Sequence, residues 1–458
     1  MQNRPASFTK KFISGEMYFG FWGMISKVLG LGNTFLTVSS LTVYQYGVLQ
    51  LILATYAAFA DLMLIGSPVV SNEIFRLVGS GKEEKAKRLF FEYNKLYVLI
   101  AIFFWGLFFF GAPVLSFRYG PDFIQFAKII SFLFLFEVFL AAAKLLLKLR
   151  LKFKVVASRS SIAKFVQFSI LSYFFFFSHL GLREVLLSLV IAMFISLLSL
   201  VPAAIKAYRP WVGRAALNER ILLGIFFAHG KWDILRSLFS RLTSRIEPWI
   251  LKLFVGTEAV AIFSVANTIV GTIKDYFPNN TINSLAALAV EDKARSQRIF
   301  SYGMKYMFLL SIAVSIAALI AVPPFIRLFF AKYSASLPLF YILLFNLPMG
   351  MLAFMPSIYL QILKKQKFLL YQGVIRSIIE IPLVLILVIL FGLWGLVAKE
   401  ILIKLIMFPI TLWYFLRYQN LVSIKWGELF SFTGNDRIFL ANMYSNFTSL
   451  IKMKLNIK

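Results

Sequence analysis

The sequence contains no cysteine among its 458 residues and only two histidines. Without cysteine, the chain has no disulfide framework, no thiolate metal site and no thiol nucleophile. His179 and His229 lie near the ends of apolar segments without other metal-ligand residue types beside them, and we interpret both as interfacial side chains. The GxxxxGK[ST] pattern of phosphate-binding loops is also missing, so we expect neither ATP hydrolysis nor a cofactor.

Acidic residues are scarce: 20 Asp and Glu stand against 48 Lys and Arg, a net charge of +28. In a soluble protein this excess would suggest a nucleic-acid partner. Here 60% of the residues are hydrophobic and the mean hydropathy is +0.80. Apolar runs such as Leu96–Phe117 approach or exceed the roughly 20 helical residues that cross a bilayer core. We therefore predict a membrane protein without a nucleic-acid partner, its cations lying in loops on one side.

Twelve helical spans fit the sequence, at 12–36, 46–74, 94–113, 122–143, 156–177, 184–205, 232–254, 258–286, 302–324, 337–362, 368–391 and 394–416. The connections after the even-numbered spans are rich in Lys and Arg, whereas the alternate connections are short and nearly uncharged. Because Lys and Arg hold loops in the cytoplasm, both termini are expected there. The first span follows Arg4, Lys10 and Lys11 without a small-residue cleavage site, so we expect it to be retained.

An internal repeat divides the chain into two halves. KEEKAKRLF at Lys82–Phe90 recurs as EDKARSQRIF at Glu291–Phe300, and LRLKFKVV at Leu149–Val156 matches KKQKFLLY at Lys364–Tyr371. The offset spans six helices, which predicts a parallel repeat with the substrate site between the halves. The predicted fold is an all-α polytopic membrane protein with twelve transmembrane helices in two six-helix bundles. The predicted domains are two bundles, a basic cytoplasmic linker between them and a basic tail, at 1–205, 232–417, 206–231 and 418–458.

Several segments carry a family resemblance. GTEAVAIFSVANTI at Gly256–Ile269, VYQYGVLQL at Val43–Leu51, GSGKEEKAKRLF at Gly79–Phe90 and PPFIRLFFAKYSASLPLF from Pro323 resemble polysaccharide flippases of the Wzx type. The resemblance covers roughly residues 10–417. It implies the MOP superfamily fold with a central cavity, and flipping of an undecaprenyl-pyrophosphate-linked oligosaccharide across a bacterial inner membrane. It also makes membrane lipid and other polysaccharide-assembly proteins candidate partners.

Other readings stay open at this stage. The superfamily also contains cation-coupled multidrug exporters (MATE) and lipid II flippases. SKVLGLGNT at Ser26–Thr34 resembles the first-helix motif of lipid II flippases, but Lys27, Asn33 and Thr34 replace its two arginines and aspartate. A membrane glycan polymerase is a rival from another class; its large catalytic outer loop is at odds with the short outer connections here. A transporter working by alternating access, not an enzyme, is the preferred interpretation.

Ionisable residues inside predicted spans are the candidate site residues, since burying charge in hydrocarbon is costly. Arg241 and Arg245 are i,i+4 neighbours near mid-span, where two guanidiniums suit a pyrophosphate. If that span begins later, both would instead snorkel to the cytoplasmic interface. Glu247 is a candidate partner for one of them. The other candidate cavity cations are Lys27, Lys144 and Lys164.

Carboxylates in the spans are candidates for ion coupling, with H+ or Na+ as the ion, or for structural pairs. Besides Glu247 they are Asp61, Glu137 and Glu380. Glu380 lies just before Pro382, whose missing N–H leaves a carbonyl free. Asp61 is expected to pair with Lys27 at mid-membrane depth. Three further charged residues at the start of the last span are expected to pair among themselves: Lys399, Glu400 and Lys404.

Overall fold

A computed structural model describes residues 5–64, 66–119, 121–213, 221–225, 231–275, 277–279, 292–363 and 365–417, with single positions at 282, 286, 422, 424, 427 and 431. All regular elements in these ranges are helical. Most of the predicted tail, 418–458, lies outside the described residues. So do most residues after 275 in the predicted span 258–286.

Fourteen α-helices occur in the described ranges. They are α1 Pro5–Ser40, α2 Val43–Met63, α3 Ser67–Gly79, α4 Glu83–Tyr119, α5 Pro121–Leu149, α6 Phe153–Phe177, α7 Leu182–Tyr208, α8 Leu222–Ile225, α9 Lys231–Phe254, α10 Thr257–Asp275, α11 Lys293–Phe329, α12 Leu337–Ile362, α13 Gln366–Phe391 and α14 Leu393–Leu416. Short 3₁₀ turns cover Arg209–Trp211 and Ala331–Ser336.

Eight of the described helices, α2, α4–α7 and α11–α13, are long and apolar enough to cross a membrane by length and composition. Each of the twelve predicted spans has helix within it, and the predicted all-α polytopic fold is confirmed. The span predicted at 46–74 is divided between α2 and α3. Gly66 separates them with a φ of 78°, and Pro68 lies in the first turn of α3, so the chain restarts a helix there.

The chain forms two compact units, each made of helix segments that pack on one another. The first contains residues 1–266, 325–337 and 373–399, and the second contains 267–324, 338–372 and 400–458. The domains predicted from the repeat are drawn on a different basis, and their boundaries stay a prediction.

In the first unit, α1 packs along α6, α5 and α6 both pack on α7, and α5 also packs on α4. The close approach of α1 to α6 depends on Gly32, where an added Cβ would lie 2.7 Å from the ring of Phe168. Phe134 is fully buried, with the rings of Tyr56, Phe104 and Phe108 at 5.0–5.8 Å. Helix α2 rests on α5 and α9, which brings its polar residues close to those of α9.

The turn between α1 and α2 is fixed by the 3₁₀ segment Ala331–Ser336, which belongs to the same unit. The ammonium of Lys332 donates to the carbonyls of Ser39 and Leu41, at 2.7 and 2.5 Å. Tyr333 is fully buried beside Leu41, with its ring 5.8 Å from that of Tyr46. A cation therefore satisfies the carbonyls that α1 leaves open at its C-terminal end.

The described part of the predicted linker, 206–231, is anchored on the first turns of α4. The indole N–H of the buried Trp211 donates to Glu83 at 3.2 Å, and Arg150 lies 3.7 Å from the same carboxylate. Further along, Glu92 accepts the backbone N–H groups that open α8, at 3.1 and 3.0 Å. Glu83 and Glu92, two acidic residues of α4, therefore hold the described part of the linker against that helix.

The second unit has its own aromatic core. The rings of Phe300 and Phe415 stack at 5.2 Å, and Tyr359 meets Phe300 edge-on. The Tyr359 hydroxyl donates to the carbonyl of Ser296 at 2.8 Å, which satisfies the one polar atom of that buried ring. Helices α11, α12 and α14 are joined through these side chains.

Candidate functional site

Two groups of charged side chains stand out among the described helices of the first unit. One, the cationic cluster, consists of Lys144 on α5 and of Arg159 and Lys164 on α6. The other, the ion network, consists of Glu247 on α9, Arg376 and Glu380 on α13, and Lys399 on α14. Helix α9 contributes to two contacts: Arg245 pairs with Asp61 of α2, and Glu247 belongs to the ion network.

The cationic cluster brings like charges together. Arg159 is within electrostatic range of Lys144, Lys164 and the carboxylate of Glu137. Its Nη2 donates to the sulfur of Met193 at 3.0 Å, and its Nε is buried with no acceptor among the described residues. Among the described residues, none of the three cations has a carboxylate within 4.0 Å. The cluster is therefore a partly buried region with unneutralised positive charge.

Helix α1 holds the α6 side of this cluster in position. The amide Nδ2 of Asn33 donates to the carbonyl of Lys164 at 3.1 Å and to the side-chain oxygen of Gln167 at 3.2 Å. The Lys164 ammonium lies 3.5 Å from that same oxygen of Gln167. One turn before, Ser161 donates to the carbonyl of Trp22 at 2.6 Å. These neutral contacts fix α6 without cancelling its charge.

Asp61 and Arg245 join α2 to α9. Nε of Arg245 lies 3.2 Å from Oδ2 of Asp61, and the two side chains are 42% and 28% exposed. One turn further along α9, the indole N–H of Trp249 donates to Thr55 of α2 at 3.0 Å. Tyr56 is within electrostatic range of Asp61, of Glu137 and of Arg159. The Asp61–Arg245 pair is thus next to the cationic cluster.

The ion network is more deeply buried. The Lys399 ammonium, with no exposed surface, lies 2.6 Å from Glu247 Oε1 and 3.1 Å from Glu380 Oε1. The second oxygen of Glu380 accepts from Nε of Arg376 at 2.9 Å. Positive and negative groups alternate along these contacts. Pro248 follows Glu247 directly, and Pro382 lies two residues after Glu380.

Residues 15–288 match the family described as polysaccharide biosynthesis proteins. The match covers more than half of the chain. The chain belongs to the polysaccharide biosynthesis protein family. No curated protein matches it by sequence.

Solved structures of MOP superfamily transporters share the fold of this polysaccharide biosynthesis protein. An inward-facing multidrug resistance MATE family transporter of that superfamily is 14% identical, with a TM-score of 0.69 over 86% of this chain and 96% of that one. An outward-facing MATE family transporter is 15% identical, with a TM-score of 0.63 over 90% and 96%. The lipid II flippase MurJ, in an inward closed conformation, is 14% identical, with a TM-score of 0.67 over 96% and 99%. The protein is a multi-pass membrane flippase or transporter with the MOP fold.

The structure brings some of the predicted site residues of this family member together. Lys144 and Lys164 are each within electrostatic range of Arg159, and Lys144 is also within range of Glu137. Glu247 and Glu380 share Lys399. The contact recorded for Asp61 is with Arg245; its predicted pair with Lys27, which is half-buried on α1, stays a prediction. The side chain of Arg241 lies outside those the structure describes, so its role beside Arg245 also stays a prediction.

Two residues that matter here were absent from the predicted site. Arg159 lies at the start of the predicted span 156–177 and was not among the candidate residues, and Lys399 was expected to pair with its own helix neighbours. Counting charges would have pointed to Lys399, because a lysine within an apolar span needs carboxylates, and very few lie inside spans in this sequence. No periodicity in the sequence marks Arg159, since Lys144, Glu137 and Met193 approach it from other helices.

Proposed function

We propose that this protein flips a polyprenyl-pyrophosphate-linked oligosaccharide across the bacterial inner membrane by alternating access, with both termini in the cytoplasm. The carrier would be undecaprenyl, as in the family the sequence resembles. The observation that carries the proposal is the cationic cluster of Lys144, Arg159 and Lys164. Membership of the polysaccharide biosynthesis protein family and a fold shared with a lipid II flippase support it.

Charge bookkeeping favours a pyrophosphate at the cluster. The three cations and the carboxylate of Glu137 leave a net charge of +2, and Lys148 adds a further positive charge within electrostatic range of Lys144. A pyrophosphate diester has one negative charge on each phosphate, so one head group offsets two of these positive charges. Arg159 offers a planar fork of donors, one of which has no acceptor in the part of the chain that the structure describes, and such forks bind phosphate oxygens in pairs. The cost of holding like charges together is then offset when the substrate binds.

The Asp61–Arg245 pair adds a fourth cation, Arg245, which already contacts a carboxylate of the chain. A pyrophosphate arriving at the cluster competes with Asp61 for Arg245, since both ligands are anions. Binding would thus loosen the contact between α2 and α9 while it forms contacts with α5 and α6. A ligand that binds two conformations differently shifts their populations, which is what alternating access requires.

A MATE-type multidrug exporter is the second candidate, favoured by the structural likeness to such transporters. An exporter of cationic drugs needs carboxylates that a drug can reach. Asp61, Glu247 and Glu380 each have a cation of the chain itself within 3.2 Å. This pairing favours an anionic substrate.

The test is direct binding to the purified protein in lipid nanodiscs, measured by native mass spectrometry. The probes are undecaprenyl pyrophosphate and undecaprenol, which share the chain and differ in the head group. Wild type should retain the pyrophosphate in preference to the alcohol. Arg159→Gln should lower that preference by about ten-fold or more, because a charged hydrogen bond contributes about 1.5–3 kcal/mol.

Lys128→Gln is the matched control. It removes the same charge from α5, but Lys128 lies 16 residues before Lys144 and its ammonium faces the ring of Phe109 at 5.3 Å. Its preference for the pyrophosphate should equal that of wild type. Equal retention of both probes by wild type, or an unchanged preference in Arg159→Gln, would contradict the proposal.

A further inference from the structure

Lys332 and Tyr333, two neighbours in the 3₁₀ segment Ala331–Ser336, both contact the turn between α1 and α2, and we call these two residues the latch. The ammonium of Lys332 donates to the carbonyls of Ser39 and Leu41, at 2.7 and 2.5 Å. The hydroxyl of the fully buried Tyr333 lies 3.4 Å from the same carbonyl of Leu41. Two donors of the segment therefore converge on the end of α1.

The latch joins the two halves of the chain that the repeat predicts. Leu41 belongs to the first half and Lys332 to the second, although both lie within the first compact unit. In the predicted topology, the turn between α1 and α2 and the segment after α11 are both outer connections. The latch therefore fastens one half to the other at the outer side.

Apolar contacts accompany the latch. The ring of Phe35 on α1 lies 5.6 and 5.5 Å from the rings of Phe329 and Phe330, at the end of α11. Ring contacts tolerate sliding, whereas a hydrogen bond is lost once donor and acceptor are more than about 3.5 Å apart. The carbonyls at the C-terminal end of a helix also lack partners within the helix and favour a cation. Lys332 is thus the contact most sensitive to a separation of the two halves.

We propose that the latch keeps the outer side closed in the substrate-free protein, and that Lys332 sets how large a fraction of the molecules is open there. The ammonium must release both carbonyls before the turn between α1 and α2 can move away from the segment. Removing it therefore shifts the population towards an outward-open conformation. This inference rests on alternating access, which is part of the proposed function, and not on the identity of the substrate.

The test measures one distance across the outer side by double electron–electron resonance. Because the chain has no cysteine, His179→Cys and Ala335→Cys can carry two spin labels without background labelling. Both positions are exposed; His179 lies between α6 and α7, and Ala335 lies in the 3₁₀ segment. Substrate-free wild type in nanodiscs should give one distance. Lys332→Met should add a longer one, with the ratio of open to closed molecules raised about ten-fold or more.

Two variants serve as controls. Lys128→Met removes an ammonium near the start of α5 that faces the ring of Phe109 at 5.3 Å, and it should give the wild-type distances. Lys332→Arg keeps a cation that can donate to both carbonyls, and it should also resemble wild type. The proposal is overturned if Lys332→Met gives the wild-type distances, or if Lys128→Met adds the same longer distance.

Lys332→Gln covers the case in which Lys332→Met is not recovered as folded protein. Its amide can still donate to a carbonyl but carries no charge, so the longer distance should be more populated than in Lys332→Arg. Equal populations in these two variants would overturn the proposal. The measurement uses no substrate, so a failed latch leaves the preference for undecaprenyl pyrophosphate, and with it the proposed function, to be decided by the binding experiment.

Discussion

Replacing Asp61 by Asn tests whether the Asp61–Arg245 pair competes with the substrate. The side chains keep nearly the same size, but Arg245 loses its carboxylate at 3.2 Å. Ion pairs that are partly exposed contribute about 0.2–1 kcal/mol, and polar pairs between membrane helices average about 0.6 kcal/mol with a maximum near 1.7. At 28% and 42% exposure, we expect a contribution of about 1 kcal/mol.

If the head group must displace Asp61 from Arg245, wild type loses this energy from the binding free energy, whereas Asp61→Asn does not. Asp61→Asn should then bind undecaprenyl pyrophosphate about five-fold more tightly, which corresponds to 1 kcal/mol. Arg245→Gln should bind more weakly, and the double variant should behave as Arg245→Gln alone. The assay is a titration of protein in nanodiscs, read by native mass spectrometry.

Thr55→Val provides the control for this titration. It removes the neighbouring Trp249–Thr55 hydrogen bond between the same two helices without changing any charge. Its affinity for the pyrophosphate should equal that of wild type. The competition is refuted if Asp61→Asn binds no more tightly than wild type while Arg245→Gln binds more weakly.

Three further predictions concern the fold. Lys332→Met should lower thermal stability in detergent, by about 1.5–3 kcal/mol for each charged hydrogen bond lost from the end of α1, and unchanged stability would contradict the capping role. Gly47→Val should destabilise by about 1–3 kcal/mol, because a Cβ there overlaps the carbonyl of Thr257, the first residue of α10; Gly106→Val, which has open space, should not. Reporter insertions should show Lys82 in the cytoplasm and His179 outside, and a periplasmic Lys82 would overturn the topology.

The fold could largely be predicted from the sequence, because hydrocarbon admits few solutions for a backbone. Each segment must satisfy its own hydrogen bonds, so long apolar runs become helices whatever their partners. The predicted span 337–362 coincides with α12 for this reason. The break after α2 was missed, since Gly66 and Pro68 stand within a run apolar enough to suggest one continuous helix.

The candidate site was less predictable, because it depends on which helix faces meet. Spacing along a helix shows which side chains share a face, but it carries no information on the neighbouring helix. Glu380 was identified as a buried carboxylate, while its cation on α14 became visible only with the packing of three helices. Arg245 was identified as a cation of the membrane interior, and its contact with Asp61 required the placement of α2 against α9.

The prolines beside the ion network have a mechanical consequence. Pro248 and Pro382 lack the N–H that would donate to the carbonyls of Ser244 and Ile378, so α9 and α13 each lack one backbone hydrogen bond beside the ion network. A helix bends most easily where such a hydrogen bond is missing. Glu247 and Glu380, which lie beside these prolines, both contact the ammonium of Lys399. The lysine therefore connects the two helices at the positions where each bends most easily. Bending of either helix in this protein is therefore coupled to the other, and the two must flex together.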